Sequence, residues 1–224
     1  MNEGLLFIEL IIIFGILVLS KKFFGKTGVF VWIGVATILA NIQVTKQIDI
    51  FGLKGTLGNV LFGSTFLATD ILAECYGKKN AKKGVYIGLF FAIAYIIISQ
   101  VTLLFVPNDI DTAHKPMEEL FSISLRVSIS SITMFFIANM ADVYLFDKIK
   151  EKTKGKMLWL RNNVATIVCN VIENFFFVTF AFMGIFSMQD ILIIALSTSI
   201  LEIIIAICDT PFLYIAKNKI IDKE

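Results

Sequence analysis

The chain has 224 residues, of which 57% are hydrophobic and only 17% charged, with a formal net charge of +2 and a mean hydropathy of +0.83. Soluble domains carry about 25% charged and 45–50% apolar residues, so this composition excludes an ordinary soluble domain and marks a polytopic membrane protein. So small a positive excess gives no argument for a nucleic-acid partner, and membrane topology alone accounts for the basic residues.

A membrane-spanning helix needs about 20 mostly apolar residues. Residues 5–20 form the first expected span, closed by Lys21, Lys22 and Lys26, with no basic segment ahead of the apolar run; this predicts a retained helix rather than a cleaved signal. Residues 28–44 form the second, carrying Asn41 near its far end, and a mixed polar, glycine-containing connection follows over 43–57. The third span, 58–76, carries Asp70 and Glu74 one helical turn apart and ends in Lys78, Lys79, Lys82 and Lys83. The fourth covers 85–106 and stops at Pro107-Asn108-Asp109. An acidic loop to Glu119 leads to the fifth, 120–146, which holds Arg126, Asn139 and Asp142. A basic, soluble run over 147–161 precedes the sixth and seventh spans, 163–186 and 190–216.

The expected fold is therefore all-α, a membrane helix bundle of about seven helices, six being the alternative count, in a single transporter domain over 1–224. Segments 21–27, 77–84, 147–163 and 217–224 fall on one side of a seven-helix arrangement and hold 16 of the 20 lysines and arginines. The positive-inside rule makes that side cytoplasmic, with the amino terminus outside and the carboxyl terminus inside.

Charged or amide side chains at membrane depth mark functional faces, because an acid there costs roughly 2.5–3.5 kcal/mol even on lenient insertion scales. Asp70 and Glu74 share a helix face, as do Asn170, Glu173 and Asn174, and Glu202 with Asp209. Interfacial solvation is the competing account for Glu74, Asp142 and Asp209, and interhelical bonding for Gln100 and Asn41. Arg126 is the deep cation, expected to pair with one of the acids or with substrate oxygen. Asp70, Glu74, Arg126, Asn170, Glu173, Asn41, Asn139 and Glu202 form the expected substrate-binding set. Carboxylates, amides and one guanidinium suit a flat heterocycle with N–H groups and a carbonyl oxygen. Cys75, Cys169 and Cys208 have no metal-ligand spacing, and His114 lies in a polar loop. With no nucleophile–base pair, HExxH or phosphate loop, neither catalysis nor a cofactor or metal is expected.

FLATDILAECYGKKNAKK (66–83), Arg126 ahead of ADVYLF (141–146), WLRNNVATIVCNVIENFFF (159–177) and DTPFLY (209–214) resemble the queuosine precursor transporter family, the YhhQ-type vitamin uptake transporters. The resemblance implies a carrier in the bacterial cytoplasmic (inner) membrane. It would take up 7-deazaguanine bases for queuosine in tRNA, namely the cyano and aminomethyl precursors or queuine itself. In that pattern Asp70, Arg126, Asn170 and Glu173 occupy polar positions, and Glu202 stands where a lysine is common. Membrane lipid and a nucleobase are the expected partners, with a proton or sodium ion as the coupling options and a homodimer as an assembly option. The competing readings are a substrate-capture subunit of an ATP-driven uptake system and a carrier of another purine-like molecule.

Overall fold

In a computed structural model, which describes residues 1–121 and 125–218, the chain is a bundle of α-helices with one small hairpin. Residues 122–124 of the fifth expected span and lysines 219 and 223 of the tail lie outside the described residues. Among the described residues, five helices are long and apolar enough to cross a membrane.

The first helix, α1 (Asn2–Gln43), has 42 residues, but its backbone is non-helical at Gly25, with φ 57° and ψ −140°. Eight residues of unbroken helix would separate Ser20 from Gly28 by about 12 Å. Instead, a Cβ placed on Gly28 would lie 2.2 Å from the Ser20 carbonyl oxygen. The chain therefore folds back at Gly25, and α1 is two antiparallel arms matching the first two expected spans. The hairpin after it confirms the reversal at the other end. Strands β1 (Gln47–Ile50) and β2 (Leu53–Thr56) pair antiparallel across Phe51 and Gly52, both at positive φ, as a two-residue primed turn requires. Asn2 Nδ2 donates to the Asp49 carbonyl at 2.9 Å, and the Phe51 amide donates to Glu3 Oε1 at 3.3 Å. The beginning and end of α1 thus sit side by side.

Helix α2 (Asn59–Tyr76) is the centre of the bundle, packed by α1, α3 (Lys78–Leu103), α5 (Leu125–Lys152) and α7 (Met188–Lys217). It is buried along most of its length, including Ser64, Thr65, Thr69 and Asp70. A helix screened from lipid on all sides need not be apolar on any of them, which lets α2 hold a polar face. Its 18 residues extend about 27 Å, close to the hydrocarbon thickness. Trp32 Nε1 donates to Ser64 Oγ at 3.1 Å and ties the second arm of α1 to it. Gly84 of α3 lets Ile33 and Leu72 approach to where a Cβ would stand 2.8 Å from each. The outer helices turn large apolar side chains outward, Ile11, Phe90, Ile98 and Leu196 among them, as lipid-facing surfaces do.

The short helix α4 (His114–Phe121) precedes α5, and α6 (Leu158–Phe182) packs between α5 and α7. The basic segment over 147–161, expected to be a soluble run, is largely helical: α5 continues to Lys152, and α6 begins at Leu158. Lysine is a good helix former, so a helix leaving the membrane has no reason to stop at its edge. Segment 78–83 extends α3 in the same way, leaving Gly77, at φ 84°, as the turn from α2.

Candidate functional site

Four residues of α2, Phe62, Phe66, Asp70 and Glu74, recur at i, i+4 spacing and form one face. Opposite them α5 presents Ser128, Ser131, Phe135, Asn139 and Asp142, and α6 presents Asn162, Thr166, Asn170, Glu173 and Phe177, each at three- and four-residue spacing. Polar side chains from three helices thus run the length of the bundle interior.

Asp70 has no exposed surface; its carboxyl lies in hydrogen-bonding reach of the Asp142 carboxyl, and no N–H or hydroxyl of a described residue donates to it. Its electrostatic neighbours are the carboxyls of Asp142 and Asp209 and, of opposite sign, Arg161. Asp142 is equally buried and accepts from Thr166 Oγ1 at 3.2 Å. Asp209 accepts from Asn162 Nδ2 at 2.6 Å, and the same nitrogen reaches Thr210 Oγ1 at 3.2 Å. Burial of Asp142 and Asp209 removes interfacial solvation as their explanation. Pro211 lies inside α7 two residues on, where its missing N–H leaves the Ile207 carbonyl without its usual intrahelical donor.

One turn further along α2, Glu74 ends in a clasp of charges. Its Oε2 lies 2.7 Å from Arg161 Nη2 and 3.0 Å from Lys150 Nζ, and its Oε1 lies 2.7 Å from Lys217 Nζ. The four partners come from α2, α5, α6 and α7 and join those helices at the lysine-rich end. Arg161 also donates to the Gly155 and Lys156 carbonyls at 3.3 and 2.8 Å and packs over the Phe146 ring. Glu74, expected in the substrate-binding set, is committed to these cations in this structure.

Above the aspartates, Asn174 Nδ2 donates to Glu202 Oε2 at 2.7 Å and to Ser199 Oγ at 3.3 Å, with Glu173 as the neighbouring acid. Asn139 and Asn170 are buried, each with an amide oxygen that no described residue satisfies. At the end of the bundle opposite the clasp, a pocket of about 540 Å³, part of it open space, is walled by Phe62, Tyr95, Phe121 and Phe177. Asn41, Ser99, Gln100, Ser128 and Ser131 add polar groups to it. Phe62, in the pocket wall, meets the Phe135 ring at a tilt of 54°, centroids 6.1 Å apart, and Phe66 clusters with Ala138 and Cys169. Among the described residues Arg126 meets no buried acid: its Nε donates to the Phe180 carbonyl at 2.7 Å and its Nη2 to the Met183 carbonyl at 2.8 Å. It caps the carboxyl end of α6, where unpaired carbonyls attract a cation.

A family model described as "Putative vitamin uptake transporter" matches residues 56–216, from the end of β2 through nearly all of α7. The chain belongs to the vitamin uptake transporter family. It is a multi-pass membrane protein of this transporter family, and it is 38% identical over 215 residues to a Bacillus subtilis protein named "Probable queuosine precursor transporter". That match covers 96% of this chain and 94% of the relative. A Haemophilus influenzae protein of the same name is 24% identical over 135 residues, 59% of this chain and 54% of that protein. No solved structure matches.

The structure adds Arg161, Asn162 and Thr166 to the polar interior, residues that a reading by hydropathy assigned to a basic loop or passed over. Their signal in the sequence is the spacing 162, 166, 170, 173, which continues the polar face of α6 past the apolar boundary. Tyr95 carried no such signal, because one tyrosine in an apolar run reads as an ordinary packing residue.

Proposed function

We propose that this chain is a self-sufficient carrier, one domain of seven spans with the amino terminus outside and the carboxyl terminus inside. It imports 7-deazaguanine precursors of queuosine across the bacterial inner membrane. The observation that carries the substrate assignment is the 38% identity over 96% of the chain to the Bacillus subtilis protein and its name. Two features of the interior support alternating access as the mechanism. The aromatic pocket lies at the end expected outside, while at the lysine-rich end the Glu74 clasp draws four helices together. That pairing is an outward-facing arrangement, with the cytoplasmic gate shut.

In this mechanism the heterocycle first settles between Phe62, Tyr95 and Phe177, whose rings match its flat faces. It then passes Phe66 to reach Asp70, Asn139, Asn170 and Glu173. A carboxylate there accepts from the ring N–H and exocyclic amine, and amides serve the ring oxygen. Glu202 and Asn174 line the same route, and Asn41 stands at its mouth. Release requires the Glu74 clasp to part, while Arg126 holds the outer end of α6 in place. Loss of a charged ligand partner from such a site costs about 2–5 kcal/mol of binding.

Uptake decides this reading. A host lacking queuosine synthesis and its own transporter, but able to use each base, expresses the chain, and queuosine in tRNA is measured at low external base. Restoration by the wild type and its loss in Asp70→Asn support a carrier acting alone. No restoration, with the protein present in the membrane, overturns the solitary carrier and favours a capture subunit that needs an ATP-driven partner. Repeating the assay with a protonophore separates proton-driven from facilitated uptake.

A further inference from the structure

Two carboxyls meet inside the bundle. Those of Asp70 on α2 and Asp142 on α5 lie in hydrogen-bonding reach of each other, and neither residue has any exposed surface. Two ionised carboxylates repel at such a distance, and a bond between two acceptors needs a hydrogen, so the contact holds one shared proton. Thr166 Oγ1 donates to Asp142 Oδ1 at 3.2 Å, whereas Asp142 Oδ2 and both oxygens of Asp70 receive nothing from an N–H or hydroxyl of a described residue. A metal ion in place of the proton would have to spread oxygens that such a bond keeps about 2.5–2.7 Å apart.

The groups around the pair include one cation with a donor to spare. Asp209 of α7 and Arg161 of α6 act on Asp70, and the Cys169 thiol of α6 lies beside both aspartates. Lys21 of α1 is buried over the Tyr76 ring, six residues further along α2, while Lys78, Lys82 and Lys83 of α3 are directed to Asp147, Tyr144 and Phe30. Arg161 uses Nη1 on the Gly155 and Lys156 carbonyls and Nη2 on Glu74. Its Nε is buried with no acceptor among the described residues. Glu74 and Asp70 stand one turn apart on α2, with Cβ atoms about 5–6 Å from each other. A guanidinium that leaves Glu74 therefore has Asp70 as the next acid on the same face.

We propose that uptake is coupled to one proton, carried by the Asp70–Asp142 pair and discharged by Arg161. This rests on the carrier function proposed above and deepens it by naming the coupling ion and its site. With the clasp closed, Glu74 holds Arg161, and the pair keeps its proton while the base binds. When the clasp parts, the guanidinium turns its unused Nε to Asp70, and a positive charge beside a carboxyl favours the ionised form. The proton leaves to cytoplasmic water. The pair passes from one negative charge to two, and the arriving guanidinium supplies the compensating positive charge. Return of Arg161 to Glu74 leaves two carboxylates facing each other, which take up a proton from the outer side.

The test uses the purified full-length chain in lipid vesicles, with labelled cyano base, aminomethyl base and queuine supplied in turn and the membrane potential held at zero. Exchange of labelled for unlabelled base at equal pH reports transport without a gradient. An outer medium more acid by about one pH unit should drive accumulation towards about tenfold, the limit for one proton per base, and a sodium gradient at equal pH should drive none. Asp142→Asn, whose amide donates to Asp70 without releasing its hydrogen, should still exchange base but no longer accumulate it. Asp142→Ser is the second variant, used where the first is not recovered in folded form. Four results overturn proton coupling at the pair while leaving base transport standing. They are accumulation on the sodium gradient, exchange without accumulation on either gradient, pH-driven accumulation that survives substitution of Asp142, and loss of exchange along with accumulation in a folded variant. Absence of exchange of all three bases in the wild type overturns the coupling together with the carrier on which it rests.

Discussion

Arg161 Nη2 lies 2.7 Å from Glu74 Oε2, with the arginine side chain wholly buried and that of the glutamate 4% exposed. Lys150 and Lys217 hold the same carboxylate, but their side chains are 30% and 44% exposed. The three cations are therefore unequal. Breaking a buried pair costs about 3–5 kcal/mol, whereas an exposed pair contributes about 0–1 kcal/mol. Arg161→Lys, which keeps the charge but loses the fork and its carbonyl bonds, is expected to lower the melting temperature in detergent and cut maximal uptake at least about tenfold. Lys217→Ala should change uptake less than about threefold. Equal effects of the two substitutions would count against the clasp as a gate.

Arg126 bonds the Phe180 and Met183 carbonyls and stands apart from the buried acids. Arg126→Ala is expected to destabilise the outer end of α6 by about 1 kcal/mol. Protein that remains folded should take up base with an unchanged KM. A KM raised tenfold at undiminished stability would show instead that the guanidinium touches substrate.

Gly28 and Gly15 lie in the two arms of α1 and differ in what surrounds them. A Cβ at Gly28 would press on the Ser20 carbonyl at 2.2 Å, while one at Gly15 meets nothing within 4 Å. Gly28→Val should overpack the turn by about 1–3 kcal/mol and reduce the amount of protein in the membrane. Gly15→Ala should be neutral or stabilising by up to about 1 kcal/mol, because alanine is the better helix former. Melting curves on both variants check the pair, and an unharmed Gly28→Val would contradict the folded-back arrangement.

The aromatic pocket offers a steric test. Ser128 is buried beside it, so Ser128→Trp should fill the space and raise the KM for uptake at least about tenfold, with little change in stability. Normal KM with a correctly folded variant would remove the pocket from the substrate's path.

Sidedness is open to labelling. In a background freed of Cys75, Cys169 and Cys208, a cysteine replacing Lys54 in the hairpin should react with an impermeant maleimide added outside intact cells. One replacing Lys154, between α5 and α6, should react only after the membrane is opened. The reverse pattern would invert the proposed orientation.

Composition and hydropathy along the chain suffice for the helical membrane class, the approximate places of its spans and the presence of acids at depth. Those features come from local hydropathy and helical spacing, which the chain carries irrespective of how its segments pack. The i, i+4 relation of Asp70 and Glu74 was legible for that reason. Their different fates were not: which partner a side chain meets depends on other helices, and Lys150, Arg161 and Lys217 reach Glu74 from segments 76 to 143 residues away. The same holds for Arg126, whose charge and depth suggested an acid partner until the end of α6 placed two open carbonyls beside it. Hydropathy likewise placed the lysine-rich edges in loops, because it reports preference for lipid and not where a hydrogen-bonded helix stops. Tertiary structure alone decided that α2 stands at the centre, screened from lipid, and could therefore bring Asp70, Asp142 and Asp209 into one buried cluster.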